Sequence, residues 1–283
     1  MAERCNGVLI NADASQVYTD LRILSARPTD AEMARAPHRL FGHIDGAEAC
    51  TAARWAAEAK AAVADAHAAG QVPILVGGTG LYIRTLLDGI APVPEIDADI
   101  RAAIRAHPVA TNYQALTIED PEAAARLNAG DTTRVARALE VVRSTGQPLA
   151  VWQRRKEGGI SARITLHPLL LLPDRAWLME RCDTRFDAMI ADGAETEVRA
   201  LLQRGLPPEV PVMRAIGVRS IAERLAGLID DETMSDRAKA ETRRYAKRQY
   251  TWFANQPPPA WRRAVPQNYG QNIEEIVIKL HQM

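Results

Sequence analysis

The chain has 283 residues, 35 Lys and Arg against 35 Asp and Glu, and a hydrophobic share of 47%. That length can bury a sizeable core and suits one large domain with an insertion, and the zero net charge argues against a polybasic protein without excluding a local basic face for nucleic acid. Three scattered cysteines with no CxxC pair argue against a zinc site or disulfide framework, and the longest aliphatic run, Leu169 to Leu172 between two prolines, is too short for a bilayer.

The N-terminal "MAERCNGVLI" lacks a basic segment followed by a long apolar one, so no secretory signal is expected and a cytoplasmic location is. Asn6-Gly7 is a helix-stop pair, and Val8 to Asn11 reads as a short buried strand. Thr51 to Ala69 is alanine-rich and helical, with Gly70 placed as its C-terminal glycine. The strand "VPILV" follows, then the loop "GGTG" and a helix through Leu86 and Leu87. Alternation of this kind predicts an α/β fold with a parallel sheet and crossover helices. Beyond Pro92 and Pro94 the pattern turns polar, helical and strand-poor. Two helices are expected on either side of Asn128 to Asp131, the second running from near Thr132 to Gly146. Residues 97–156 therefore read as an all-helical insertion, between a core segment 1–96 and a remainder 157–283. Strand signal returns in Ile164 to Pro173, and the stretch from Asp174 to Gly205 carries apolar residues at helical spacing.

A strand that feeds Gly-Gly-Thr into a helix N-terminus leaves backbone N–H groups free at the positive end of the helix dipole, which suits an anion. Thr79 adds a hydroxyl; its other reading is a plain N-cap beside glycines that allow a tight turn. Asp13 closes the earlier strand. In open α/β sheets ligands gather beyond the carboxyl ends of the strands, so Asp13 and Thr79 share a crevice if their strands are neighbours. That would make Asp13 a candidate general base, its alternative being an Asx turn. Two segments are basic: "TTRVARALEVVR", with Arg134 and Arg137 three apart, and "RRYAKRQYTWF", where cations sit beside Tyr250, Trp252 and Phe253. Cations that grip phosphates next to aromatic stacking surfaces suit RNA, while a solvated helix face is the other reading of each. "MRAIGVRS" sets arginines on both sides of a glycine, as a backbone close to a ligand would. Arg185 lies one turn past Arg181 and has either a phosphate or a carboxylate such as Asp187 or Glu180 within its range.

Together "INADASQVYTDLRILSARP", "APHRLFGHIDG", "PILVGGTGLYIRTLL", "RVARALEVVRSTGQPLAVWQ", "MRAIGVRS" and "RYAKRQYTWF" resemble, in order and approximate spacing, the bacterial tRNA dimethylallyltransferase (tRNA isopentenyltransferase) family. The resemblance implies a P-loop NTPase-like fold with a helical insertion that grips the anticodon stem and a helical C-terminal part. It implies transfer of a dimethylallyl group from dimethylallyl diphosphate to the N6 amine of the adenine 3′ to the tRNA anticodon, with magnesium (Mg2+) as cofactor. By the same resemblance Asp13 takes the amine proton and Thr79 hydrogen-bonds the leaving diphosphate, with Arg185 as a further diphosphate contact. Contacts to tRNA are implied for Asp13, Ala14, Ser15 and Gln16. The same holds for Thr133, Arg134, Val135, Ala136 and Arg137, and for Arg214, Ala215, Ile216, Gly217, Val218 and Arg219. No protein side chain is expected to bind a metal, and a monomer is expected.

The match has a gap. The family pattern usually opens with a strand and a GxxxxGK[ST] loop upstream of the Asp13 strand, whereas no glycine of this sequence precedes a lysine, and Ala14 stands where a serine is usual. A P-loop supplies N–H groups, a lysine and a metal-binding hydroxyl to phosphates. The expectation is therefore an N-terminally truncated chain, weakly active or inactive and prone to aggregate. An adenylate prenyltransferase of cytokinin synthesis and a non-catalytic tRNA-binding relic are the alternatives. A nucleotide kinase is disfavoured for want of the lysine.

Overall fold

The computed structural model of the protein describes residues 1–265; the rest of the expected 157–283 segment lies outside the described residues. The chain divides into two compact units, one formed by Met1–Arg84 with Ile164–Met283, the other by Thr85–Arg163.

The first unit opens on a single 3-10 turn, Ala2–Arg4, in place of the expected helix end. Gly7 already belongs to strand β1 (Gly7–Asn11). A short helix α1 (Asp30–Met33) follows, held by a capping box between Thr29 and Glu32, and then strand β2 (His38–Arg39). Helix α2 (Ala52–Ala68) is capped by Thr51, whose hydroxyl accepts from the Arg54 N–H, and it delivers the chain to β3 (Val72–Val76). Strand β1 lies in the middle, parallel to both neighbours, in the order β2-β1-β3. Asn11 pairs with Val76, so the carboxyl ends of β1 and β3 finish side by side. The alanine-lined face of α2 packs on this sheet through Trp55, fully buried, whose indole N–H donates to the Asn11 carbonyl at 2.8 Å. Helix α3 (Gly80–Asp88) leaves the end of β3.

The second unit contains β4 (Gly89–Ile90), α4 (Ala98–Ala106), α5 (Val109–Glu119), α6 (Pro121–Arg126), α7 (Thr132–Thr145), α8 (Leu149–Gln153) and β5 (Glu157–Gly158). Strand β5 pairs antiparallel with β4. Ile104, Leu116, Val135 and Leu139 form its core, each from one face of a helix. Asp131 caps α7 through the Arg134 N–H, and Gly146 ends it in the left-handed conformation, so both boundaries fall where the sequence puts them.

The chain re-enters the first unit at β6 (Leu169–Leu171) and continues through α9 (Arg175–Ala191), α10 (Ala194–Gln203), α11 (Val218–Leu225) and α12 (Asp231–Asn255) to β7 (Arg262–Ala264), which lies parallel to β6. The apolar stretch from Asp174 to Gly205 is two helices. It breaks at Gly193, whose φ of +100° is a conformation that glycine adopts without a steric penalty. Helix α9 packs along α12, and Glu197 of α10 receives the backbone N–H groups of Arg22, Ile23 and Leu24 at 2.5, 2.9 and 2.9 Å. Among the described residues no helix is long and apolar enough to cross a membrane.

Candidate active site

Two strand ends meet here. Past β1 the chain turns through Asp13, and the side chain of Asn11 builds that turn: its Oδ1 accepts from the Asp13 N–H at 2.8 Å, while its Nδ2 donates to the carbonyls of Asp13 and Leu40 at 3.0 Å each. Asn11 is fully buried, so these bonds fix a polar side chain that has no water to turn to. Asp13 Oδ1 accepts from both the Ser15 N–H, at 2.8 Å, and the Ser15 hydroxyl, at 2.6 Å. The Asx turn is therefore real, and it occupies one carboxylate oxygen while the other stays available to a proton. Past β3 the loop comes back to the same place. Thr79 donates its N–H to the Ala12 carbonyl at 3.1 Å, and its hydroxyl oxygen accepts from the Ala14 N–H at 2.9 Å. An hydroxyl held as an acceptor still has its own hydrogen to give.

The glycines of the loop answer to packing as well as to an anion. A side chain at Gly77 would lie 2.2 Å from the Ala12 backbone, one at Gly78 2.2 Å from Gln249, and one at Gly80 2.4 Å from the Trp252 ring. Helix α12 thus sits directly on the loop, and Gln249 donates to the Gly78 carbonyl at 2.9 Å. Tyr245, one turn before Gln249, lines the same pocket as Asp13. Burial raises its phenol's pKa and the Asp13 charge adds to the rise, so it stays protonated at neutral pH. The basic helix expected to offer stacking surfaces uses its aromatics internally: Trp252 covers Gly80, and Tyr250 lies under Arg175 at 4.9 Å. Of its cations, Arg243 is spent on Asp183 at 2.7 Å, while Arg248 lies 5.6 Å over the Tyr245 ring.

Beside Asp13 opens a pocket of about 1070 Å³, walled by α9, α12 and the segment before α11. Asp13, Ala14, Ser15 and Gln16 line it, as do Arg185, Arg214, Ala215 and Ile216. Arg181 and Arg248 bring its guanidiniums to four, with Glu180 as a counter-charge. Such a wall attracts a polyanion and offers paired N–H donors to phosphate oxygens. Gly217, Val218 and Arg219 lie elsewhere: the glycine opens α11 close against Leu24, Val218 is 1% exposed, and Arg219 pairs with Glu223 at 2.8 Å. In the second unit Val135 and Ala136 are buried, whereas Arg134 and Arg137 reach the surface of α7 beside Thr133. Asn11, Tyr245, Gln249, Arg181 and Arg248 were absent from the site read off the sequence. The spacing of 245, 249 and 252 on one helical face, matched against three glycines, is the signal that could have found the α12 stripe.

A family model described as IPP transferase matches residues 16–256. A tRNA dimethylallyltransferase of Sphingopyxis alaskensis is 61% identical over 98% of this chain and 90% of its own length, and one of Zymomonas mobilis is 52% identical over 99% and 90%. The crystal structure of a full-length tRNA isopentenylpyrophosphate transferase from Bacillus halodurans superimposes with a TM-score of 0.69 at 30% identity, over 99% of this chain and 90% of that one. A eukaryotic dimethylallyltransferase acting on tRNA gives 0.74 at 30% identity, over 89% and 64%. The expectation of a truncated chain finds no support in matches that run over 98% and 99% of it.

Proposed function

We infer, from the fact that this chain belongs to the IPP transferase family, that it is a tRNA dimethylallyltransferase, which prenylates the adenine at position 37, next to the anticodon. The observation that carries the assignment of chemistry is the 2.9 Å bond from the Ala14 N–H to the Thr79 hydroxyl, which ties the two strand ends into one reactive corner beside the arginine-lined pocket. The donor is dimethylallyl diphosphate. Its diphosphate meets Arg181, Arg185, Arg214 and Arg248, and the adenine of an RNA loop enters toward Asp13 to Gln16, flipped out at modest cost because it is already unpaired.

In the transfer, the N6 nitrogen forms a bond to the allylic carbon as that carbon's bond to the diphosphate oxygen breaks. Asp13 takes the proton that the nitrogen must lose. Thr79, fixed as an acceptor by Ala14, donates its hydrogen to the departing oxygen, where negative charge grows. Magnesium is expected with the donor, but among the described residues no three His, Cys, Asp or Glu side chains converge to hold an ion. Mg2+ commonly binds through substrate phosphates and water, and it would reach this site with the donor.

Replacing Asp13 by Asn tests the reading. Prenylation of tRNA should fall by about 10²- to 10⁴-fold, as for loss of a general base, with the affinity for tRNA little changed. Full transfer by D13N, read by mass spectrometry of position 37, would remove Asp13 from the chemistry.

A further inference from the structure

The second unit holds a buried charge that the prenyl transfer does not use. Glu140, on α7, is 1% exposed, while its neighbours Ala138, Leu139 and Val141 are apolar and fill the core. Its Oε1 accepts from Arg105 Nε at 2.9 Å. Its Oε2 has no hydrogen-bond partner and lies 4.0 Å from Arg101 and 3.8 Å from Arg137. One carboxylate thus serves three guanidiniums, two from α4 and one from α7, and two positive charges stay unmatched within the cluster.

An apolar residue at 140 would close the α4–α7 contact at least as well, because a buried ion pair seldom outdoes hydrophobic packing of similar volume. What an apolar residue could not do is hold three mutually repelling guanidiniums together. The cations are 46%, 65% and 40% exposed, so they present their outer N–H groups to solvent around a fixed centre. Arg101 and Arg137, held by charge alone, have not committed those donors to Glu140. Arg134 continues the surface three residues before Arg137 on α7, 76% exposed.

We propose that Glu140 is a positioning residue that gathers Arg101, Arg105 and Arg137 into a cradle for the phosphate backbone of RNA. The proposal rests on the reading of the chain as a tRNA-modifying enzyme and deepens it by naming the groups that grip the strand. Planar guanidiniums offer paired donors to phosphate oxygens, and their net positive charge makes the grip salt-dependent.

The test is the affinity of the full chain for a labelled anticodon stem-loop RNA across a salt series. Arg101→Ala with Arg137→Ala removes two half-exposed side chains that make no hydrogen bond to Glu140 and leaves the Arg105 bond in place. It should weaken binding by about tenfold, as for the removal of bonds to a charged group, with a salt slope shallower by about one for each phosphate no longer gripped. Glu140→Gln discriminates further, since it removes a negative charge and so raises the net charge by one. Long-range attraction alone would tighten binding, whereas loss of the organising carboxylate weakens it. A folded E140Q that binds as tightly as the parent or tighter overturns the positioning role, and an unchanged slope in the double arginine variant overturns the cradle. Should E140Q fail to fold, the double arginine variant decides. Failure of the unaltered chain to bind the RNA at all would instead strike the functional reading itself.

Discussion

At the scale of single residues, Thr79 owes its position to two neighbours that the sequence does not place near it. The Ala14 N–H fixes its oxygen at 2.9 Å, and the Ala12 carbonyl receives its N–H at 3.1 Å. Tyr245 lines the same pocket as Asp13, and Phe at 245 removes its hydroxyl while leaving the ring that Arg248 covers. We expect Tyr245→Phe to lower kcat by about five- to tenfold, the size of one net hydrogen bond. KM for the diphosphate donor and the melting temperature should barely move. An unchanged kcat would reduce Tyr245 to packing, and a large rise in KM would make it a donor-binding group instead.

Among the elements, α2 illustrates how charge locks a helix to a loop. Glu58 meets Arg54 at 3.0 Å within the helix and His43 at 2.8 Å from the loop before it. Burial pushes the Glu58 carboxyl up, but the hydrogen bonds from His43 and Arg54 outweigh it and hold the group below its ordinary 4.5. A depressed carboxyl stabilises the fold above that ordinary value, and the contribution fades as pH falls through the depressed one. Glu58→Gln should thus be less stable than the parent near neutral pH, with the difference in urea midpoint closing as pH drops below 4.5. A gap that persists or widens in acid would assign the effect to shape rather than charge. The elements also mark how far the sequence could be read. Helix α7 and strands β1 and β3 were legible because apolar period, caps and glycines agree along a few residues. The break at Gly193 was not, because the apolar spacing continues through it. Nor was the inward stripe of α12. Arginine and lysine at 243, 244, 247 and 248 advertise a solvent face, and only packing against a loop far off in sequence shows that Tyr245, Gln249 and Trp252 turn the other way. Asp13 and Thr79 could be paired in advance only on condition that β1 and β3 are neighbours, which pairing between strands decides and local sequence does not.

For the whole molecule, each unit has its own core. Ile104, Leu116, Val135 and Leu139, all nearly inaccessible, close the second unit from within, and the short β4–β5 pair ties its two ends. Residues 85–163 should therefore fold when produced alone, giving a helical circular dichroism spectrum and a cooperative thermal transition. A broad, non-cooperative melt would mean that its core depends on the remainder of the chain.

The hydrogen bond between Gln249 and Gly78 joins residues 171 positions apart. A ribosome adding about 5–20 residues per second needs roughly ten to thirty seconds to cover that interval. During that time a nascent chain carries the threonine loop without the helix that seats it. Prenyl transfer is therefore expected only once α12 has been made and has packed on the loop, at the end of synthesis rather than during it.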